Sequence, residues 1–219
     1  MADIDRQPLR ERNRQMARDA VLDAAERLLR NGESAEFSMR QLAAEAGVGF
    51  ATPFNHFGSK NAIMQAMSAR LIERMAARFV EEVSGGDAID RVLAMGRISI
   101  GLLLEQPDVC KAVVGSLGVV SPIPSAVRVH SERLWTLALG DLSGIAPELG
   151  EIAKATLAEQ LAFSFRGCIS FWIAGELGDG ELEAAFRAGA SAILLGFAAP
   201  GRRSYLLDQV ERRHSALRK

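Results

Sequence analysis

The sequence FSMRQLAAEAGVGFATPFNHFGSK, residues 37–60, decides the architecture of the N-terminal part of the chain. Ser38 and Gln41 have the spacing of a capping box, in which the N-cap and the third helical residue bond each other's backbone N–H groups. Phe37 and Leu42 flank the cap at the positions of a hydrophobic staple. We therefore expect a short helix that begins after Ser38 and ends about two turns later.

A glycine turn and a second short helix follow. Gly47 permits the positive φ that a tight turn often needs, and Val48 can fill the small core between the helices. Pro53 would damage a helix interior but not a helix start, and it biases Thr52 away from the α region, as in an N-cap. These signals predict a helix that starts near Thr52–Pro53 and is about a turn and a half long. Two short helices joined by a glycine-containing turn are typical of a helix-turn-helix.

The outward side chains of this last helix suit the major groove of duplex DNA. Threonine and small apolar groups can touch a thymine methyl, and asparagine can pair with adenine through two hydrogen bonds. Histidine or an aromatic ring can reach a base edge or a phosphate. Lys60, at the start of a further helix capped by Ser59, suits a phosphate. The residues expected to face the groove are Phe50, Ala51, Thr52, Phe54, Asn55 and His56.

Helical periodicity dominates the rest of the chain, and strand patterns are scarce. Apolar residues recur at helical spacing from about 14 to 30 and again from Ser59 to about 82. Proline and glycine breakers separate the segments beyond. Five further helices are expected, at roughly 88–104, 107–115, 123–142, 149–176 and 181–198.

The charges are unevenly distributed along the 219 residues, whose formal net charge is −1. Residues 6–18 carry +4, residues 61–201 carry −5 and residues 202–219 carry +4. A basic arm beside a folded module is a common footprint of phosphate binding, and a merely solvated terminus is the alternative. Hydrophobic residues make up 48% and charged residues 24%, which excludes a disordered or collagen-like chain.

Residues 14–75 resemble the DNA-binding module of the TetR family of bacterial transcriptional regulators. The positions that carry the resemblance are Ala24-Ala25, Leu28-Leu29, Phe37-Ser38-Met39-Arg40, Leu42-Ala43, Ala46-Gly47-Val48 and Thr52 to Lys60. Phe54 stands where the family usually has tyrosine, Pro53 where it has an aliphatic residue, and His56 where an aromatic is common. The remainder resembles the family in being helical, of the right length and closed by two long helices.

The resemblance implies a two-fold dimer that places one recognition helix per subunit in consecutive major grooves. It also implies that Ser38, Met39 and Arg40 meet phosphates or base edges and that Lys60 binds a phosphate. The fold expected is all-α, an N-terminal three-helix helix-turn-helix module followed by a larger helical effector-binding and dimerisation domain. The segments expected are a basic flexible arm at 1–13, the DNA-binding domain at 14–60, the ligand-binding and dimerisation domain at 61–200, and a basic C-terminal tail at 201–219.

The helices expected at 149–176 and 181–198 are rich in small and apolar residues. Such helices approach each other closely, and two from each subunit can form a four-helix interface between copies of the chain. The core of a monomer is the alternative. The resemblance favours the homodimer, which also matches the symmetry of operators.

An effector pocket is expected between helices of the larger domain, and the apolar excess there favours an apolar or aromatic ligand. Each candidate lining residue has plain core packing as its alternative. Arg97, His130 and Arg166 are polar residues on otherwise apolar faces. The candidate lining residues are Met95, Ile98, Leu102, Val113, Leu117, Val127, His130, Trp135, Phe165, Cys168 and Phe171.

These patterns predict a cytoplasmic repressor that a small apolar effector releases from a double-stranded DNA operator. The alternatives are a structural or adaptor dimer without effector response and a helical enzyme, but HExxH, GxSxG and glycine-rich phosphate loops are missing from the sequence. No cofactor and no metal are expected, since Cys110 and Cys168 lack zinc-type spacing and fit a reducing cytosol. No membrane partner or secretory signal is expected, because the longest apolar stretch, 161–175, is too short to span a bilayer.

Overall fold

The computed structural model describes residues 6–32, 36–118 and 126–216, and the regular elements of these residues are helices. The α-helices are α1 (Arg6–Asn31), α2 (Met39–Glu45), α3 (Ala51–Phe57), α4 (Lys60–Glu82), α5 (Ala88–Glu105), α6 (Pro107–Ser116), α7 (Val127–Leu139), α8 (Gly150–Ile173), α9 (Asp179–Leu195) and α10 (Pro200–Ala216). A 3-10 turn covers Pro147–Leu149, and an isolated antiparallel bridge joins Ile145 to Ala198. The all-α fold class is confirmed.

The chain divides into two compact units, and the division differs from the expected boundary at residue 60. The first unit contains α1 to α3, α4 as far as Ser68, and α6. The second contains α4 from Ala69 onward, α5, and α7 to α10. The boundary therefore lies inside a continuous helix, and α6 groups with the helix-turn-helix rather than with the larger body.

α6 belongs to the first unit because its apolar face shares the hydrophobic core of that unit. Val109 and Val113 are buried in the same cluster as Val21 and Leu29 of α1. Helical periodicity predicts that 107–115 is a helix, but it carries no information on which core receives the helix. The other buried members of the cluster are Leu22, Ala24, Ala25, Phe37, Leu42, Ile63, Met64 and Met67.

The basic N-terminal arm is helical where the structure describes it. α1 begins at Arg6, so residues 6–13 form its first turns and the prediction of a flexible arm is wrong for them. Pro8 lies in the first turn, where a missing N–H breaks no hydrogen bond, and no further proline or glycine precedes Asn31. Residues 1–5 lie outside the described part of the chain.

The basic C-terminal tail is also helical over residues 201–216, as part of α10. Pro200 is at the first helical position, where proline is favoured. Leu206 and Gln209 are buried, so this helix packs against the rest of its unit rather than extending as a tail. The last expected tail residues, 217–219, lie outside the described residues.

An aromatic cluster forms part of the core of the second unit. The Trp135 ring centroid lies 5.4 Å from that of Phe165 and 5.1 Å from that of Phe186. Gly96 of α5 faces this cluster so closely that a Cβ built there would lie 2.2 Å from the Phe186 ring. Trp172 is fully buried and donates from Nε1 to Asp179 Oδ1 at 2.6 Å.

An arginine closes the end of α7 in the same unit. Arg91 donates from Nε to the Ala138 carbonyl at 3.0 Å and from Nη2 to the Leu139 carbonyl at 2.8 Å. It also pairs with Asp141 at 2.7 Å. The last carbonyls of a helix have no intrahelical partner, so Arg91 stabilises that terminus. Within the described residues, no helix is both long and apolar enough to cross a membrane.

Candidate nucleic-acid interface

α2 begins with the capping box that the sequence predicts. Ser38 Oγ accepts a hydrogen bond from the Gln41 N–H at 3.2 Å, and Gln41 Oε1 accepts one from the Ser38 N–H at 2.9 Å. Two amides at the helix start are thereby satisfied without help from the core. This arrangement fixes the direction in which α2 leaves the preceding chain.

The turn between α2 and α3 follows the sequence prediction closely. Gly47 has φ +65°, the left-handed conformation that glycine adopts without strain. The Val48 N–H donates to the Ala43 carbonyl at 3.0 Å, and the Val48 side chain packs against the core cluster. The turn is therefore closed by a backbone hydrogen bond and held by an apolar side chain.

α3 begins two residues earlier than predicted and without the predicted cap. Its first residue is Ala51, and the preceding Phe50 has helical dihedrals and no side-chain cap bond. Thr52 lies inside the first turn and donates its N–H to the Gly49 carbonyl at 2.8 Å, so its prediction as an extended N-cap is wrong. Pro53 is the third helical residue, still within the four amides that lack an intrahelical partner, so its position breaks no helical hydrogen bond.

Arg18 of α1 holds the C-terminal end of α3. Its Nη1 donates to the His56 carbonyl at 2.9 Å, and its guanidinium carbon lies 4.4 Å from the Phe57 ring centroid. Gly58, at φ +78°, ends the helix by donating its N–H to the Phe54 carbonyl at 2.8 Å. The far end of α3 is thus tied to α1 by a charged hydrogen bond and a cation–π contact.

Sequence reasoning missed this role of Arg18, which it counted only among the charges of the basic arm. A signal was present in the sequence. Arg18 precedes Val21, Leu22 and Ala25 by three, four and seven positions, so it shares the apolar face of α1 rather than its solvent face.

The outer face of α3 is mostly apolar. Phe50 is 57% and Phe54 41% exposed, and their rings meet edge to face with centroids 5.5 Å apart. Ala51 and Asn55 are exposed, whereas Thr52 and His56 are half-buried. All the predicted groove-facing residues therefore lie on one short helix or its N-cap, and none of them is buried.

The predicted contact residues at the starts of α2 and α4 differ in how far they are exposed to solvent. Ser38 and Arg40 are exposed. Met39 is half-buried and packs against the core cluster. Lys60 is half-buried, with Nζ 5.0 Å from the Phe37 ring centroid. Its ammonium thus already has an aromatic neighbour within the first unit.

The candidate effector residues do not gather at one site. Val113 and Leu117 belong to the first unit, on α6 and just after it, so they cannot line a pocket inside the other unit as predicted. Phe171 is 56% exposed on α8. Trp135 and Phe165 pack in the aromatic cluster. The remaining candidates in the second unit are buried or half-buried: Met95, Ile98, Leu102, Val127, His130 and Cys168.

One of these candidates, His130, does line a cavity. The cavity has a volume of about 320 Å³ and lies between α4 and α7, within the second unit. His130 Nδ1 is buried and has no hydrogen-bond partner there. Its lining consists of Ala69, Ile72, Glu73, Ala76, His130, Arg133, Leu134 and Leu137. Among the residues that the structure describes, no three His, Cys, Asp or Glu side chains group as metal ligands would.

Burial raises the pKa of the Cys168 thiol, and the positive charge of Arg213 opposes that shift only in part. Burial also lowers the pKa of Arg166. A raised pKa keeps a thiol protonated near neutral pH, which is the less reactive form. The Cys168 thiol therefore lacks the electrostatics of an activated nucleophile.

Comparisons with known proteins agree with this geometry. The family model described as "Bacterial regulatory proteins, tetR family" matches residues 21–67, which span the C-terminal part of α1, all of α2 and α3, and the start of α4. A solved TetR transcriptional regulator from Rhodococcus sp. RHA1 superposes with a TM-score of 0.69 at 24% identity, covering 82% of this chain and 97% of that one. This structural likeness supports the fold.

Curated relatives come from Mycobacterium tuberculosis. An uncharacterized HTH-type transcriptional regulator of strain H37Rv is 25% identical over 138 residues, which are 63% of this chain and 67% of that protein. The HTH-type transcriptional regulator AlkX is 33% identical over 75 residues, which are 34% of this chain and 36% of AlkX.

Proposed function

The chain belongs to the TetR family of bacterial transcriptional regulators, and we propose that it binds an operator in double-stranded DNA as a homodimeric, ligand-responsive repressor. The observation that carries the proposal is the outer face of α3. This face exposes Phe50, Phe54 and Asn55, while Arg18 ties the C-terminal end of the helix to α1. A rigidly held helix with unpartnered outer side chains is the form that major-groove readers take.

Each exposed side chain has a part in this proposal. Asn55 reads an adenine through two hydrogen bonds, and Thr52 offers a methyl and a hydroxyl group to a neighbouring base. Ser38 and Arg40 at the start of α2, together with Lys60, contact phosphates. Phosphate contacts fix the register on the duplex, whereas base contacts carry the sequence preference.

The proposed dimer interface is the outer face of α8 and α9. α8 exposes the large apolar side chains of Ile152, Phe163 and Phe171. On α9, Ala184 and Ala192 are exposed. Large apolar side chains exposed on one helix favour burial against a partner, and small residues let a second helix approach closely. A two-fold copy of the chain matches the two half-sites of an operator.

The proposed effector site is the cavity that His130 lines. Most of its lining residues are apolar, with Glu73 and Arg133 also present, and the unpartnered His130 Nδ1 offers one hydrogen bond. A small apolar or aromatic molecule with one polar group therefore fits its chemistry. Ile72 and Ala76 belong to the same α4 that begins at Lys60. An effector that favours one conformation of this helix would thereby shift the DNA-binding equilibrium.

Selection of bound sequences from random duplexes tests the DNA-binding role. Enriched half-sites about one helical turn apart, roughly 34 Å, are expected, with affinity that falls steeply as salt rises. The double variant Thr52→Ala, Asn55→Ala should lose sequence selectivity while sedimentation still shows the dimer. Thr136→Ala, the same threonine-to-alanine change at an exposed position of α7, is the control and should bind normally. A structural or adaptor dimer would show no salt-sensitive duplex binding at all.

Cavity filling tests the effector role. Ala76→Phe places a ring in the cavity, whereas Ala77→Phe adds the same ring at an exposed position of the same helix. Small aromatic compounds that release the wild-type protein and Ala77→Phe from the selected operator should fail to release Ala76→Phe. Equal release of all three proteins would contradict the assignment of the site.

A further inference from the structure

We propose that Phe50 and Phe54 read the 5-methyl groups of two adjacent A·T base pairs in each operator half-site. This inference rests on the proposed function and assigns a base-reading part to two side chains that cannot form a conventional hydrogen bond. The two residues are four positions apart and share one face of α3.

The exposure of the pair is the first argument. α3 is anchored elsewhere along its length, because Pro53 is buried and Phe57, at its C-terminal end, lies under the Arg18 guanidinium. Phe50 and Phe54 instead leave 57% and 41% of their surface in water, where large apolar side chains gain nothing. Burial against an apolar group of the bound duplex removes that surface from water.

The chemistry of the phenyl ring leaves one kind of apolar group on the duplex as its contact. A phenyl ring has no N–H or O–H to donate to the acceptor atoms N7, O6 and O4, and no lone pair to accept a conventional hydrogen bond from the N4 or N6 amino groups that the bases present in the major groove. The thymine 5-methyl is the apolar group among the major-groove edges of the four bases. Contact with a phosphate is excluded by the same reasoning, since it would cover a charged oxygen with hydrocarbon.

The spacing of the rings indicates two methyl groups rather than one. The ring centroids are 5.5 Å apart. Successive base pairs rise by about 3.4 Å along the duplex axis, and the helical twist moves the methyl groups of neighbouring thymines further apart than that. Two rings at this separation therefore match the methyl groups of adjacent base pairs.

Asn55 supports the same base-pair type. Its side chain is exposed on the same short helix, one residue after Phe54, and asparagine pairs with the N6 and N7 atoms of adenine. An A·T pair shows that adenine edge and a thymine methyl in the same groove. A step of A·T pairs therefore satisfies the amide and both rings together.

A uridine scan of the selected operator tests the inference. Each thymine is replaced singly by deoxyuridine, which removes the methyl group and keeps the base pairing. At two adjacent positions of each half-site the wild-type protein should lose about fourfold in affinity per methyl. Other thymines should tolerate the change.

Variants of the two phenylalanines then show which ring contacts which methyl group. Phe50→Ala and Phe54→Ala should each abolish the uridine effect at one of the two positions, and Phe54→Leu should keep part of it. Val80→Ala shortens another exposed apolar side chain, 65% exposed on α4, and should keep both effects. Because both rings are exposed, the folded state should survive, as circular dichroism would show.

The possible failures are distinguishable. If no sequence is enriched from the random duplexes, the proposed function itself fails. If sequences are enriched but uridine is tolerated at every thymine, the methyl-reading inference is overturned and the DNA-binding role stands. A uridine effect that persists unchanged in both alanine variants overturns it equally.

Discussion

At the scale of single residues, Arg18 contributes more to the candidate interface than any prediction from the charge pattern suggested. A charge run at a chain end is usually interpreted as a solvated patch. Here one member of the run donates to a backbone carbonyl at the end of α3 and stacks on Phe57. Arg18 differs from the solvated members of the run in its position on the apolar side of α1, not in its charge.

We expect Arg18→Ala to lower the free energy of unfolding of the first unit by about 1–2 kcal/mol and to weaken operator binding, because α3 loses the contact that orients it. Arg14→Ala, one turn earlier and exposed, removes the same charge and should leave the stability nearly unchanged. Urea titration followed by circular dichroism measures both. Equal stability losses in the two variants would show that the charge matters and the contact does not.

Asp141 gives the molecule a stability that depends on pH. The hydrogen bond from Arg91, followed by those from Ser143, lowers the pKa of Asp141 from 3.8 to about 2. A carboxylate with a lowered folded-state pKa stabilises the fold above about pH 4, and that contribution disappears as the pH falls through about 2.

Asp141→Asn should therefore be less stable than the wild type at pH 7, and the difference should shrink towards pH 2. Urea unfolding of both proteins across this range measures it. Asp208→Asn changes an exposed aspartate that pairs only within α10, and it serves as the control. A difference between wild type and Asp141→Asn that stays constant from pH 7 to pH 2 would refute the role of the Arg91 pair.

At the scale of elements, the helix-turn-helix was predictable because its signals are local. The capping box of Ser38 and Gln41 and the turn at Gly47 each depend on residues within a few positions of one another, and both are confirmed. The start of α3 was misplaced because the preference of a residue before proline is weak. The Thr52 N–H bond to Gly49 outweighs it.

Gly47→Ala should destabilise the first unit by about 1–2 kcal/mol, since an alanine at φ +65° is strained even though its Cβ would meet no atom within 4 Å. Gly49→Ala is the matched control, because its Cβ would lie in ordinary contact, 3.7 Å from Thr52 Oγ1, without a positive φ. Thermal unfolding should separate the two variants clearly. A loss at Gly49 as large as that at Gly47 would point to packing rather than backbone strain.

At the scale of the whole molecule, sequence patterns predict where the helices lie along the chain but not which helices pack together. The periodicity of α6 is the same whether the helix packs on α1 or inside the larger body, so its membership of the first unit could not be foreseen. For the same reason Val113 and Leu117 were placed with α5 residues that lie in the other unit. Residues 6–13 show no clear amphipathic stripe, so their sequence pattern does not predict the helical turns that they form.

A single charged substitution on α8 can test the proposed dimer without unfolding the protein. Phe163→Glu puts a carboxylate at the centre of the exposed apolar face of α8, where a partner helix would bury it, and should convert the dimer to a monomer. Operator affinity should fall with it, because one half-site per protein is lost. Val80→Glu introduces the same charge on α4 and should remain dimeric. Sedimentation velocity measures the assembly state, and a dimeric Phe163→Glu protein would place the interface elsewhere.

The burial of both tryptophans in the second unit has a practical consequence for such measurements. The chain has two tryptophans, Trp135 and Trp172, and one tyrosine, Tyr205, all in that unit. Intrinsic ultraviolet emission consequently reports the environment of one half of the molecule. The half that carries α3 can unfold without any change in tryptophan emission, unless an indole is introduced there as a reporter.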